Sequence, residues 1–132
     1  MLACDSEVQR MNFDWTQGGL AEGLRRYRAG QFFAAHEAWE SVWLECQEPE
    51  KMFLQGLIQV TAAFYHLQRN NPRGATLLLK GALGRLERCP PRFGGIAVTV
   101  LCNDIREWLQ ALETGEPVPQ LSSVRICPEL SS

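Results

Sequence analysis

The chain has 132 residues, 45% of them hydrophobic and 21% charged, and a formal net charge of −2. Those values describe one soluble globular domain, long enough to bury a core without disulfides or a structural metal, and no apolar run reaches the length needed to cross a bilayer. The slight acidity also argues against a nucleic-acid binder that works through its whole surface.

The two signs of charge are segregated. Glu37 to Glu50 carries five acids and no base, whereas Arg69 to Arg92 carries six bases and one acid, Glu87. The five cysteines, Cys4, Cys46, Cys89, Cys102 and Cys127, include no Cys-x-x-Cys pair. They signal neither a zinc knuckle nor a complete disulfide framework, so they read as small hydrophobes in a reducing cytoplasm. Residues 1–14 lack periodicity and an apolar signal core, and are expected to be an N-terminal lead with no export function.

A first helix is expected over 15–29, where Leu20, Leu24 and Tyr27 share a face and Arg25, Arg26 and Arg28 suit the negative helix end. Gly30 stops it as a C′ residue. A second helix follows over 31–46, through Phe32, Phe33, His36, Trp39, Glu40 and Trp43. At about 100° per residue these fall within roughly a third of the circumference, which would carry a histidine and a glutamate into an apolar stripe.

After a break at Gln47-Glu48-Pro49, residues 50–69 are apolar nearly all round and belong at the centre of the domain. Gln55, Gln59, Ala62, His66 and Asn70 make one narrow polar line along that helix. Asn71 as N-cap and Pro72 as N1 announce a fourth helix, with Arg73, Lys80, Arg85 and Arg88 as a basic face and Leu77 exposed among them. Pro90 and Pro91 end it, and 92–95 read as a loop. A fifth helix is expected over 96–113. The segment 117–132, with three prolines and four serines, reads as an extended tail lying on the bundle. The expected architecture is a single all-α domain over 15–116, a compact bundle of about five helices, with that tail.

Because the second and third helices are joined by a short turn, they are expected to be antiparallel, with His36 level with Gln59 and Glu40 level with Gln55. His66 then lies roughly 10 Å further along. This predicts a buried polar seam of His36, Glu40, Gln55 and Gln59 and a small pocket floored by Trp39 and Trp43. If Glu40 is buried there, Glu40→Ala should cost about 1–3 kcal/mol for each polar group it leaves without a partner, and Glu37→Ala less than about 0.5 kcal/mol.

His36-Glu37-x-x-Glu40 is also one histidine short of the zinc-protease helix, in which histidines at i and i+4 hold the metal. On that alternative His36 and Glu40 ligate a divalent metal, and Glu37 or His66 serves as acid or base in a hydrolase-like reaction. Otherwise the chain shows no nucleophile with an adjacent base and no phosphate-cradling glycine loop. The leading reading is therefore a binding or interaction module for a small ligand or a protein partner. The acidic and basic stretches would also suit one another across a homodimer interface.

Three further runs occur in order: Phe33-x-x-His36-Glu37-x-Trp39-Glu40-x-x-Trp43, Gln55-Gly56-Leu57-Ile58-Gln59-x-x-Ala62-Ala63-x-Tyr65-His66, and Asn71-x-x-Gly74-Ala75-x-x-Leu78-Leu79. Together they resemble the bacterial and archaeal family named domain of unknown function 309, over about residues 20–88. The resemblance implies an all-helical bundle in a small cytoplasmic protein, and it implies no catalytic role for any residue.

Overall fold

A computed structural model describes residues 13–115 and 124–128. Among them are five helices, α1 (Gly18–Arg28), α2 (Phe32–Trp43), α3 (Glu50–Gln68), α4 (Pro72–Leu86) and α5 (Val98–Thr114), and one hairpin, β1 (Arg92–Phe93) with β2 (Ile96–Ala97). The all-α bundle expected from periodicity is therefore the fold. No helix among the described residues is long and apolar enough to cross a membrane.

Consecutive helices pack on one another, most extensively α3 on α4. Helix α3 is the hub, because Phe53, Leu54, Leu57, Val60 and Ala63 are all fully buried and Phe64 meets Tyr27 of α1, Phe32 of α2 and Trp108 of α5. The antiparallel pairing of α2 and α3 is visible in their contacts. Phe32 meets Phe64 and Phe33 meets Tyr65 at one end, while Lys51 lies over Trp43 at the other.

The helix boundaries follow local chemistry. Asn70, at φ 60°, is the left-handed C′ residue of α3. The Asn71 N–H donates to His66 O at 2.9 Å and the Asn70 N–H to Leu67 O at 3.1 Å, the paired bonds of a Schellman motif. Asn71 then caps α4, since its Oδ1 accepts from the Gly74 N–H at 3.1 Å while its amide nitrogen lies 3.0 Å from His66 Nδ1. One side chain thus joins the end of one helix to the start of the next. Asn71→Ala should cost about 1 kcal/mol, read as a lower urea midpoint with an unchanged slope.

Several expected boundaries shift. Helix α1 starts at Gly18, not at residue 15, and Trp15 is buried outside it, donating its indole N–H to Gly94 O at 2.8 Å. Helix α2 ends at Trp43, three residues earlier than expected. The expected loop at 92–95 is a hairpin whose turn residues, Gly94 and Gly95, both have positive φ (58° and 80°), the left-handed geometry that a two-residue hairpin turn favours.

Residues 1–12 and most of 117–132 lie outside the described residues. Within 124–128 the chain is extended in its burial pattern, with Val124 and Ile126 buried and Arg125 and Cys127 exposed. The Tyr27 hydroxyl donates to the Val124 carbonyl, which ties this segment to α1.

Candidate functional site

Helix α2 presents a different face to the core from the one expected. Its buried residues are Phe32, Ala35 and Trp39, and Trp39 sits at the centre of that stripe. At about 100° per residue, His36 and Trp43 lie some 60° and 40° from Trp39, at the edge, whereas Glu40 lies about 100° away. Accordingly His36 and Trp43 are half-buried, Glu37 and Glu40 are exposed, and Phe33 is 52% exposed.

Two expectations are corrected by this rotation. Glu40 is not a member of a buried seam and makes no hydrogen bond to Gln55. Its replacement by alanine should change stability by no more than about 0.5 kcal/mol in urea titration, as an ordinary surface substitution does. Trp39 does not floor a pocket either. It is fully buried, donates its indole N–H to Leu20 O at 3.2 Å, stacks on Tyr27 and meets Trp15 edge-on.

The rest of the expected seam is partly assembled. His36 and Gln59 face the interior, but the bond expected between them is not formed, because His36 Nδ1 and Gln59 Oε1 are both buried without a hydrogen-bond partner. Gln59 instead turns its amide toward Gly81 of α4, where a Cβ would stand 2.8 Å from Nε2. His66 is engaged with Asn71, away from His36.

A metal centre is poorly supplied with ligands. Among the described residues no group of three or more His, Cys, Asp or Glu side chains is placed to hold an ion. Glu40, the second ligand expected beside His36, is turned to solvent.

What the fold does assemble is a cleft of about 450 Å3 where the end of α2, the start of α3 and the end of α4 meet. It is lined by Trp43, Glu48, Lys51, Met52, Gln55, Arg85 and Arg88. Trp43 and Gln55 come from the expected pocket and Arg85 and Arg88 from the expected basic face, so two features read separately in the sequence meet at one place. Arg73 and Lys80, the other half of that face, lie elsewhere on α4. Arg85 is turned about 140° around the helix from Lys80.

Local chemistry sets the cleft's charges. Glu48, just before the N-cap Pro49, accepts the Met52 N–H at 3.1 Å, a carboxylate at the positive end of α3. The Lys51 ammonium lies 4.4 Å from the centre of the Trp43 ring, within cation–π range. The Trp43 indole N–H is buried without an acceptor. Lys51, Arg85 and Arg88 form no salt bridge with any described residue, so three cations share a cleft that holds one carboxylate.

Two of the cysteines stand near the cleft's charges, Cys46 near Lys51 and Glu48 and Cys89 near Arg88. Burial pushes the Cys46, Cys89 and Cys102 thiols up from their ordinary pKa; nearby Glu50 adds to the effect at Cys46 and the Cys102 thiol adds to it at Cys89. They stay protonated and poorly nucleophilic at neutral pH.

Lys51, Glu48 and Met52 were not singled out by sequence reasoning as site residues. The available signal was the antiparallel register itself, which places the first turn of α3 level with Trp43.

Residues 20–78 match the family described as domain of unknown function (DUF309), the family that the sequence motifs resemble. The match covers α1, α2, α3 and the first half of α4, and so includes Trp43, Glu48, Lys51, Met52 and Gln55 but neither Arg85 nor Arg88. An uncharacterized protein of Aquifex aeolicus (strain VF5) is 33% identical over 103 residues, 77% of this chain and 31% of that relative. The chain therefore spans less than a third of the relative's length.

Proposed function

We propose that the protein is a binding module without chemistry of its own, and that the cleft between α2, α3 and α4 is where it binds. The observation that carries this reading is the gathering of an aromatic wall, a side-chain amide and three cations without carboxylate partners into one cleft of about 450 Å3. A cleft of this size can hold a small ligand, and its lining, five polar or charged side chains beside Trp43 and Met52, suits a polar or charged one. Against an enzyme stand the exposed Glu40 and thiols held protonated by burial. Free thiols at Cys46, Cys89, Cys102 and Cys127 support the cytoplasm as the place where it works.

A thermal-shift and NMR screen of a small-metabolite library tests the proposal. The expected result is a saturable ligand whose affinity falls about tenfold in Gln55→Ala, a half-buried wall residue whose loss leaves the core intact. Turnover of a library compound, abolished by His36→Ala in a protein that stays folded, would contradict it.

A further inference from the structure

We infer that the cleft takes a small organic phosphate, with its phosphoryl group held by Arg85, Arg88 and Lys51. This rests on the reading of the cleft as the protein's binding site, and adds the chemical class of what enters it. Arg85 stands in the last turn of α4 and Arg88 two residues beyond its end, and both line the cleft. Guanidinium forks suit the oxygens of a phosphoryl group, and Lys51 from α3 adds a point charge to the same cleft.

Lys51 stands in the first turn of α3, where the helix dipole disfavours a cation. It is also gathered with two arginines and paired to no carboxylate. An anion in the cleft relieves both costs. The backbone of the α3 terminus plays little part, because the Lys51, Met52 and Phe53 N–H groups already donate to Gln47 O, Glu48 Oε1 and Pro49 O. The site is made by side chains.

Trp43 and Met52 supply apolar wall for the organic part of the ligand, and the Gln55 amide can meet a neutral hydroxyl or ester oxygen. A nucleic-acid backbone fits less well. Arg73 and Lys80 are not among the lining residues, Glu40 and Glu45 stand exposed on and just after α2, and the net charge is −2.

The test is an amide and indole NMR titration of the full chain at low ionic strength, with inorganic pyrophosphate, then glycerol 3-phosphate, with glycerol as the uncharged control. The expected result is saturable movement centred on Trp43, Lys51, Gln55, Arg85 and Arg88 with both phosphates and none with glycerol. Arg85→Gln with Arg88→Gln should weaken binding at least about tenfold, because hydrogen bonds to charged groups are lost. Glu48→Gln, which keeps an acceptor for the Met52 N–H, should tighten it. An unchanged affinity in the double arginine variant, or no saturable movement below about 10 mM, a level weaker than metabolite binding requires, would overturn the inference. Uncharged library compounds that bind in the cleft of the double variant would still leave the binding module standing, whereas a cleft that takes neither class ends both. Tighter binding of a DNA duplex than of pyrophosphate, with a steep salt dependence, would overturn the small ligand in favour of nucleic acid.

Discussion

Trp39→Ala is expected to remove about 4 kcal/mol of stability, as truncation of a large aromatic in a core does. The ring is fully buried, its N–H is satisfied by Leu20 O, and it touches both Tyr27 and Trp15. Since a domain of this size has only about 5–15 kcal/mol in hand, that loss is a large share of its stability and should lower the urea midpoint markedly. The same site gives a second reading through Gly23. A Cβ there would stand 2.2 Å from Trp39 Nε1, and the neighbour in the way is a packed indole with no free rotamer. Gly23→Ala should therefore cost about 1–3 kcal/mol as overpacking. In the Trp39→Ala background that clash has nothing to meet, so the two losses should fall well short of their sum. Additive losses in urea titrations would mean that Gly23 and Trp39 do not touch.

The second large effect concerns the segment after the last helix. Ile126 is 2% exposed and Val124 is 1% exposed, values typical of a core and unlike those of a loose tail. Ile126→Ala should cost about 3 kcal/mol, and Tyr27→Phe, which leaves the buried Val124 carbonyl without its donor, about 1–2 kcal/mol. Both changes loosen the same docking, so the double variant should lose less than the sum. A loss below about 0.5 kcal/mol for Ile126→Ala would place that side chain in water.

Which parts were legible in the sequence follows from what fixes each. The end of α1 and the start of α4 are set by single residues with few alternatives, Gly30, Asn71 and Pro72, and local chemistry suffices to read them. The centrality of α3 was equally plain, because a helix apolar on every side has nowhere else to go. The hairpin at 92–97 was missed although Gly94-Gly95 is a strong turn signal, since its strands of two residues leave no alternation to see.

The face of α2 was the substantive error. Phe32, Phe33, His36, Trp39, Glu40 and Trp43 do form a stripe, but so do Phe32, Ala35 and Trp39, and the centres of the two are offset by less than a third of a turn. Side-chain hydrophobicity favours the aromatic-rich stripe, whereas packing selects the one with a small residue, Ala35, where the backbones approach. The short turn fixes the level of α2 against α3 but not its rotation, which is why Trp43 and Gln55 line the cleft and Glu40 does not. Lys51 and the two arginines joined that site only through tertiary packing, from segments that no local pattern connects.

Whether the cleft binds a ligand is read in the indole N–H signals of the tryptophans during titration. Trp15 and Trp39 donate to backbone carbonyls away from the cleft, whereas Trp43 lines it with an N–H that has no acceptor. Binding in the cleft predicts that the Trp43 indole signal moves and saturates while those of Trp15 and Trp39 stay still. A ligand that saturates the protein and shifts Trp15 or Trp39 while leaving Trp43 unmoved would contradict it.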